Sequence, residues 1–467
     1  MVFSGLTFLL YFLPAVLILY FIRPGTKWRN TVLLVFSLLF YAWGEPIWIS
    51  AMLASTLVNF WCARAMNGKT GASRRLYLYI GAGFSLALLF AFKYAAFFIN
   101  SVLSVLAPGA SINSPELPIG ISFYTFQVLT YTVDVYRGGQ KAQRRFSRLL
   151  LYVCCFPQLI AGPIVRYADV AKEISSRRST PRDFSEGMLR FVRGLAKKVL
   201  ISNICAEILE ELPLAGGAGF CCAGAWYGAA VYTLQIYFDF SGYSDMAIGL
   251  GRIFGFHYKE NFDHPYASFS VREFWRRWHM SLGGFFREYV YIPLGGNRAG
   301  LKRTIINTLI VWGLTGLWHG ANWTYILWGL YYGGLLTVDL LWGKKYLSRL
   351  PKAVHYLLTL LLVTVGWVIF YYSSLGQVFT HLGAMLGIGV RGMSDKTLTV
   401  IKTYSVFPII AFIFSLPVRK YAGALTEGLL GARVYEIIRV TAASALLVLS
   451  VMFIIGLSSN PFIYFQF

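Results

Sequence analysis

A stretch of thirty-five residues without a charged side chain, residues 304–338, limits what this chain can fold into. Arg303 and Asp339 bound the stretch, and His319 is its one group that titrates near neutral pH. A helix needs about 20 residues to cross a hydrocarbon core about 30 Å thick, so the stretch is too long for a single crossing. We therefore expect a helical hairpin over residues 304–341 that turns near Gly320–Asn322.

The position of His319 within this hairpin points to function. The first arm, Thr304–Trp318, is expected to be about 22 Å long at ~1.5 Å per residue. His319 then lies below the far membrane surface instead of on it. An ionisable side chain at that depth is costly and marks a functional site by default. A hydrogen-bonded structural histidine is the alternative interpretation.

Composition places the whole chain in a membrane. Of its 467 residues, 57% are hydrophobic and 13% are charged, and the mean hydropathy is +0.58. Soluble chains carry roughly twice this share of charged residues. No polar linker divides the sequence, so we expect one membrane-embedded domain over residues 1–467. The start lacks a basic segment and a cleavage site, so a cleaved signal peptide is not expected.

The net charge of +22 raises the question of nucleic acid binding. No basic, aromatic-interleaved soluble module is present. The Lys and Arg residues cluster between apolar runs, as they do on the cytoplasmic side of membrane proteins. The sequence therefore predicts membrane lipids as partners and no nucleic acid.

Basic and nearly neutral connections alternate along the first five apolar runs, which places the amino terminus outside. Further spans are expected near residues 190–212, 223–254, 354–371, 400–417 and 438–457. With the hairpin, these make an all-α polytopic membrane protein with about eleven to twelve crossings.

Residues 149–165 interrupt this regular pattern. They contain Pro157, Gly162 and Pro163 and have basic residues on both flanks. Irregular backbone at membrane depth is tolerated only where it is buried in protein or lines a cavity. The segment is expected to form a re-entrant loop, with a kinked interfacial helix as the alternative.

Residues 256–303 are too polar to cross the bilayer and are expected to form a cytoplasmic, interfacial segment. Its apolar residues recur at helical spacing, which predicts an amphipathic helix whose apolar face dips into the membrane. These residues are Val271, Phe274, Trp275, Trp278 and Leu282. Arg272, Arg276 and His279 fall on another face, which would address water or phosphate. For His279 taken by itself, an anchor that binds anionic headgroups is preferred over catalysis.

The chemistry of a buried histidine is narrowed by the motifs that the sequence lacks. It has no G-x-S-x-G motif, no phosphate-binding loop, no HExxH helix and no zinc-like cysteine spacing, so no metal site is expected. A lone imidazole in a dry site suits general-base catalysis, in which it removes a proton from a hydroxyl or thiol that attacks an acyl group. A covalent acyl-imidazole is the alternative.

Other polar and aromatic residues carry less specific signals. Trp318 and Trp323 are interpreted as interfacial aromatics, and Asn322 either orients the imidazole or forms the turn. The carboxylates in apolar surroundings are expected to have structural Arg, Tyr or Ser partners, with a polar tunnel as the second interpretation. They are Asp134, Asp239 and Asp245.

Long motifs resemble those of the membrane-bound O-acyltransferase (MBOAT) family, most closely its bacterial alginate O-acetyltransferase branch. They are LPIGISFYTFQVLTYTVDVYRG at 117–138, FPQLIAGPIVRY at 156–167, YFDFSGYSDMAIGLGRIFGF at 237–256, NFDHPYASFSVREFWRRWHMSLGGFFREYVYIPLGGNR at 261–298, GLWHGANWTYILWGLYYG at 316–333 and the carboxyl-terminal PFIYFQF. The resemblance spans nearly the whole chain. The two marker histidines of the family match His279 and His319.

The resemblance implies a ring of helices around a central tunnel that is closed by a thin layer. His319 would be the catalytic histidine in that layer, and His279 would lie toward the cytoplasm. It also implies transfer from a cytoplasmic thioester, acetyl-CoA or a phosphopantetheine acyl carrier, with no tightly bound cofactor. A partner acyltransferase of the SGNH type would place the group on an exported, alginate-like polysaccharide.

Further residues are expected along the path of the donor. Arg272, Arg276 and Arg277 suit the donor's phosphates, with lipid headgroups as the competing ligand. Trp318, Asn322 and Asp245 are candidates to line the tunnel. The expected location is the inner (plasma) membrane of a bacterium. Two other functions stay open: D-alanyl transfer to teichoic acid, and a flippase for lipid-linked sugars that is not an enzyme.

Overall fold

The structure, a computed structural model, describes residues 1–159, 162–214, 217, 219–343, 349–390 and 392–456. These residues form helices and no strand, which confirms the all-α fold. The carboxyl-terminal PFIYFQF motif lies outside the described residues. The chain is organised as two units, Met1–Val192 with Tyr243–Lys259, and Arg193–Gly242 with Glu260–Phe467.

Ten α-helices precede residue 197. They are α1 (Leu13–Phe21), α2 (Thr26–Gly44), α3 (Ile49–Ala65), α4 (Gly71–Leu89), α5 (Ala95–Leu106), α6 (Ile121–Arg137), α7 (Phe146–Cys154), α8 (Phe156–Leu159), α9 (Tyr167–Ser175) and α10 (Pro181–Ala196).

Eleven α-helices follow in the rest of the described chain. They are α11 (Asn203–Glu211), α12 (Cys222–Ile253), α13 (Val271–Arg277), α14 (Met280–Phe286), α15 (Gly300–His319), α16 (Trp323–Trp342), α17 (Lys352–Tyr371), α18 (Leu375–Met385), α19 (Asp395–Thr403), α20 (Phe407–Ser415) and α21 (Val418–Gly456). A 3₁₀ turn, Pro265–Ala267, precedes α13.

Four π-helical turns also occur in the described chain. One precedes α1, one joins α4 to α5, one joins α10 to α11, and one follows α14. Their bounds are Phe8–Phe12, Phe90–Tyr94, Lys197–Ser202 and Arg287–Tyr291.

Three helices among the described residues are long and apolar enough to cross a membrane: Gly71–Leu106, Lys352–Tyr371 and Tyr421–Gly456. The pair α19 and α20, bent by 51°, makes a fourth span if it is counted as one. The last three of these four overlap the spans expected at 354–371, 400–417 and 438–457. The larger total of about eleven to twelve crossings stays a prediction.

The segment 149–165 is irregular, as its prolines and glycine predict. Helix α7 ends at Cys154, Cys155 is extended, and α8 is a single turn. All described residues of this segment are buried within the first unit. Irregular backbone is tolerated when it is buried inside protein in this way. A re-entrant path through the membrane stays a prediction.

Helices α15 and α16 form the expected hairpin, joined through Gly320–Asn322. Two glycines allow the backbones to meet. A methyl group on Gly316 would overlap the carbonyl oxygen of Tyr325, and one on Gly329 would overlap that of Trp312. The two arms therefore pack backbone against backbone, which fixes the position of His319 at the end of α15.

Candidate active site

The hairpin turn explains the role of Asn322. Helix α15 ends where Gly320 becomes extended, and Asn322 is the N-cap of α16, with its Oδ1 accepting from the Thr324 backbone N–H at 2.9 Å. Its Nδ2 donates to the carbonyl of Ser373 at 2.7 Å. The sequence allowed two roles for Asn322, orienting the imidazole or forming the turn. These contacts show that it forms the turn.

His319 lies inside a box of aromatic rings and is 4% exposed. The centroid of its imidazole is 4.9 Å from that of Trp318, 5.0 Å from Trp328 and 5.2 Å from Phe370, each at a steep angle to the imidazole plane. Trp328 and Phe370 also contact each other at 5.2 Å. Aromatic edges and faces therefore enclose the imidazole, as the sequence expectation of a recessed histidine requires.

Trp318 connects the two marker histidines. Its ring centroid lies 4.9 Å from that of His319 and 6.0 Å from that of His279. Trp318 is 5% exposed, so its interpretation as an interfacial aromatic is wrong. Trp323, at 50% exposure, fits that interpretation. The reason is helical geometry, because Trp318 points from α15 into the protein whereas Trp323 begins α16 on the outside.

The expected amphipathic helix through His279 is interrupted, and the sequence interpretation is wrong on this point. Helix α13 ends at Arg277, Trp278 is extended with φ −100° and ψ 130°, and His279 is left-handed with φ 44° and ψ 51°. This break turns the imidazole inward, and His279 is 1% exposed. It therefore does not share a water-facing surface with Arg272 and Arg276.

His279 is held by a hydrogen-bonded network. Its Nδ1 lies 3.1 Å from Oδ1 of Asn261, and its ring packs edge-to-face on Phe240 at 4.7 Å. Burial lowers the pKa of His279 from 6.5 to about 3, because the charged imidazolium would lose its hydration. The imidazole is therefore neutral at physiological pH.

The apolar residues of α13 pack inside the protein and do not dip into lipid. Phe274 and Trp278 contact Trp367 of α17, with ring centroids 6.2 and 4.7 Å apart. Trp275 contacts Trp312 and Trp328 of the hairpin at 4.6 and 5.5 Å. The helical spacing of these residues was predicted correctly, but their apolar face packs against the aromatic residues around His319 instead of against lipid.

The three candidate phosphate-binding arginines differ in their surroundings. Arg272 forms an ion pair with Asp339 at 2.7 Å, and Arg277 pairs with Glu273 at 2.7 Å. Arg276 is exposed on the same helix. Contact of these residues with a donor stays a prediction, and it requires Arg272 and Arg277 to share or exchange their carboxylate partners.

Two of the three carboxylates in apolar surroundings, the buried Asp239 and the half-buried Asp245, have structural partners as the sequence predicted. In the first unit, Arg190 directs Nε and Nη2 to one oxygen of Asp245, at 3.0 and 2.9 Å. In the second unit, Asp239 pairs with Lys198 at 2.6 Å and accepts from Ser202 at 3.3 Å. These contacts favour structural roles, and a part for Asp245 in a tunnel stays a prediction.

The arrangement suits proton transfer and acyl chemistry without a metal. Within the described ranges, no three His, Cys, Asp or Glu side chains are grouped to bind a metal ion. Two buried imidazoles that both contact Trp318 can accept or relay protons in a site from which bulk water is excluded. A positioned imidazole of this kind contributes typically 10²–10⁴-fold to a rate.

Sequence reasoning missed three residues of the site: Asn261, Trp328 and Phe370. Asn261 lies 18 residues before His279 and Phe370 lies 51 residues after His319, so no local period links them. Trp328 follows the Gly320–Asn322 turn by about two helical turns. A hairpin that brings the start of α16 beside the end of α15 was the available signal for Trp328.

Comparison with known proteins identifies the family of this chain. The model of the membrane-bound O-acyltransferase family matches residues 140–375, which include both histidines. The chain is 38% identical to a probable alginate O-acetylase AlgI of Pseudomonas putida, over 100% of each chain.

Two more distant relatives carry other names. A peptidoglycan O-acetyltransferase of Helicobacter pylori is 29% identical over 100% of this chain and 98% of its own. A teichoic acid D-alanyltransferase of Bacillus subtilis is 29% identical over 60% of this chain and 75% of its own. With its two buried histidines inside the matched region, this chain belongs to the membrane-bound O-acyltransferase family.

Proposed function

We propose that this chain is a multi-pass O-acetyltransferase of a bacterial inner membrane. It passes an acetyl group from a cytoplasmic thioester donor across the membrane for O-acetylation of an exported or cell-surface polysaccharide. The observation that carries the proposal is the burial of His319 in an aromatic box beside a second neutral histidine. Such a site favours acyl transfer over hydrolysis, because water is excluded from it.

His319 is proposed as the catalytic base. Its imidazole removes the proton of an acceptor hydroxyl while the oxygen attacks the thioester carbonyl, and the departing thiolate then takes up that proton. In the alternative route, an imidazole nitrogen attacks the carbonyl first and the C–S bond breaks to release the thiolate. The acyl group then passes from the acyl-imidazole to the hydroxyl oxygen, which frees the imidazole, and the hydroxyl proton goes to the thiolate. His279 is proposed as the second catalytic histidine in both routes.

The names of the relatives support an acetyl group and a polysaccharide acceptor. Alginate and peptidoglycan are the polymers in the names of the relatives that transfer acetyl groups, and the greater identity with the alginate relative favours an alginate-like acceptor. Acetyl-CoA or an acetylated carrier protein is the proposed donor. An extracytoplasmic SGNH-type acyltransferase is the proposed partner, as the resemblance to the alginate branch of the family implies.

Replacement of His319 tests the proposal. In cells that express the full chain with its polymer-synthesis system, His319→Ala should abolish polymer acetylation while the protein accumulates normally in the membrane. His355→Ala, which replaces a histidine of α17 away from this site, is the matched control and should leave acetylation unchanged. Normal acetylation by His319→Ala would rule the proposal out.

D-alanyl transfer to teichoic acid is the second candidate, supported by the Bacillus subtilis relative. The two functions differ in the donor they consume. Membranes that contain the chain should release CoA from radiolabelled acetyl-CoA and leave a labelled D-alanyl carrier protein intact. The reverse pattern would favour the D-alanyl function.

A further inference from the structure

Asn261 lies at the centre of the network that holds His279, and no sequence motif assigned it a role. Its side chain is 0% exposed. Its Oδ1 lies 3.1 Å from Nδ1 of His279, 3.2 Å from the backbone N of Ser281 and 2.8 Å from Oγ of Ser281. One oxygen therefore gathers three groups around the histidine.

The orientation of the Asn261 amide is fixed by chemistry. A backbone N–H can only donate, so the atom that faces the Ser281 N–H must be the amide oxygen and not the NH₂ group. An amide oxygen can only accept hydrogen bonds. The Nδ1 atom of His279, at hydrogen-bond distance from the same oxygen, must therefore carry a hydrogen.

A neutral imidazole has one N–H and one basic nitrogen. Because burial keeps His279 neutral, the hydrogen on Nδ1 leaves the lone pair on Nε2. Which ring nitrogen of a histidine is protonated is set by the hydrogen bond that the other one makes. Asn261 is thus in a position to decide which nitrogen of His279 takes part in proton transfer.

The backbone around His279 depends on Asn261 as well. The carbonyl of Asn261 accepts from the backbone N–H of Met280 at 3.0 Å, directly after the left-handed His279. A non-glycine residue in that conformation persists only where the surroundings hold it, and such residues cluster at functional sites. Side chain and main chain of Asn261 therefore fix both the tautomer and the direction of the imidazole.

We propose that Asn261 is a positioning residue that holds His279 in the Nδ1–H tautomer, so that Nε2 is the nitrogen with which His279 assists the proton transfer made by His319 during acyl transfer. The proposal rests on the proposed function. It concerns the acyl-transfer reaction itself and does not depend on which polysaccharide is the acceptor.

A charge introduced at position 261 should have a clear effect on the pKa of the His279 imidazole. The rings described on it are Phe240 from α12 and Trp318 from α15, and neither is charged. On the preceding helix, α13, Arg277 is paired with Glu273. Before that helix, Asp263 lies beside His264. A carboxylate at position 261 would therefore be a new charge directly against the imidazole.

The test compares Asn261→Asp with Asn261→Ala in membrane vesicles that contain the full chain, with CoA release from acetyl-CoA followed between pH 5.5 and 9. Asn261→Ala should reduce the rate about tenfold or more across this range, since the imidazole loses its acceptor. Asn261→Asp keeps the acceptor but favours the imidazolium, which raises the pKa of His279. Its rate should recover at high pH, and its acid limb, which in the wild type lies below the measured range, should move upward into that range.

Ser281→Ala is the matched control. It removes another donor to the same Oδ1 but leaves the contact with His279, so the pH profile should keep its wild-type shape even if the rate falls. A merely structural role for Asn261 would give Asn261→Ala, Asn261→Asp and Ser281→Ala the same unshifted profile, and this result would overturn the proposal.

Two further outcomes keep the test decisive. If Asn261→Ala does not accumulate, the profile of the nearly isosteric Asn261→Asp decides alone, and a wild-type profile refutes the proposal. His319→Ala is measured in parallel. Normal CoA release by His319→Ala would contradict the proposed function, whereas an inactive His319→Ala beside an unshifted Asn261→Asp would contradict only the role of Asn261.

Discussion

His279 and His319, the two histidines that contact Trp318, lie in different surroundings. His319 is enclosed by aromatic rings at the end of a long helix, whereas His279 is fixed by a hydrogen bond at a break between two short helices. Aromatic rings restrict the orientation of an imidazole but do not determine which of its nitrogens carries the hydrogen. A hydrogen-bond acceptor also determines which nitrogen carries the hydrogen. Because Asn261 accepts from Nδ1 of His279, the basic nitrogen of His279 is Nε2.

This difference suggests a division of labour within one reaction. As the proposed catalytic base, His319 must take up and release a proton as the reaction proceeds. The imidazole on Asn261 is restricted to one direction of proton transfer. The following predictions test this contrast, in order of decreasing effect.

The largest effect is expected from removing both imidazoles. If they serve one reaction, the double variant His279→Ala/His319→Ala should be no slower than His319→Ala alone, at a loss of about 10²–10⁴-fold. Initial rates of CoA release measure this. A double variant slowed by the product of the two single losses would show that the histidines act independently.

Removal of one wall of the aromatic box should cost stability. Trp328→Ala leaves a cavity beside His319 and should lower the free energy of unfolding by about 3–5 kcal/mol. Trp323→Ala, at an exposed tryptophan of the same helix, should change it by less than about 0.5 kcal/mol. Thermal or denaturant unfolding in detergent compares the two. Equal effects would mean that the box does not support the hairpin.

The position of His319 should be sensitive to the glycine contact below it. Gly316→Ala places a methyl group against the Tyr325 carbonyl and should destabilise the protein by about 1–3 kcal/mol and reduce turnover. Gly313→Ala is the matched control, since a methyl group there meets Leu330 at 3.9 Å, an ordinary contact. A fully active Gly316→Ala would show that the backbone crossing does not set the geometry of the site.

The smallest effect is a pH dependence of stability that comes from His279. In the unfolded chain its imidazole binds a proton below about pH 6.5, whereas in the folded protein it does so only near pH 3. Stability is therefore lost as pH falls through this window, by about 1.4 kcal/mol per pH unit. Unfolding measured at pH 6.5 and 5.5 should show a shallower loss for His279→Gln. An equal loss in both proteins would mean that the folded imidazole is not kept neutral.

Local sequence patterns were sufficient for the hairpin. An uncharged run longer than one crossing, with Gly320 and Asn322 at its middle, predicts two helices and a turn, with His319 at the end of the first helix. The buried carboxylates were also predictable in kind, because a charge in apolar surroundings needs a partner. Asp239 with Lys198 and Asp245 with Arg190 meet that expectation.

The surroundings of His279 could not be predicted in the same way. The spacing from Val271 to Leu282 satisfies a single helix, and nothing in it marks the two residues, Trp278 and His279, at which the helix stops. That break is held by Asn261, which reaches the site from the preceding loop. Contacts between segments that are distant in the sequence leave no periodic pattern in it. The contact with Asn261 is such a contact, and it holds His279 in the interior instead of on the surface.

The close crossing of Gly316 and Gly329 has a consequence for how the protein is made. Neither arm of the hairpin has a smooth apolar surface of its own, since Trp312 of the first arm packs against Trp328 and Tyr332 of the second. The arms should therefore leave the translocon together, already paired, and a ribosome stalled between them would hold an unfinished half that lipid alone cannot accommodate.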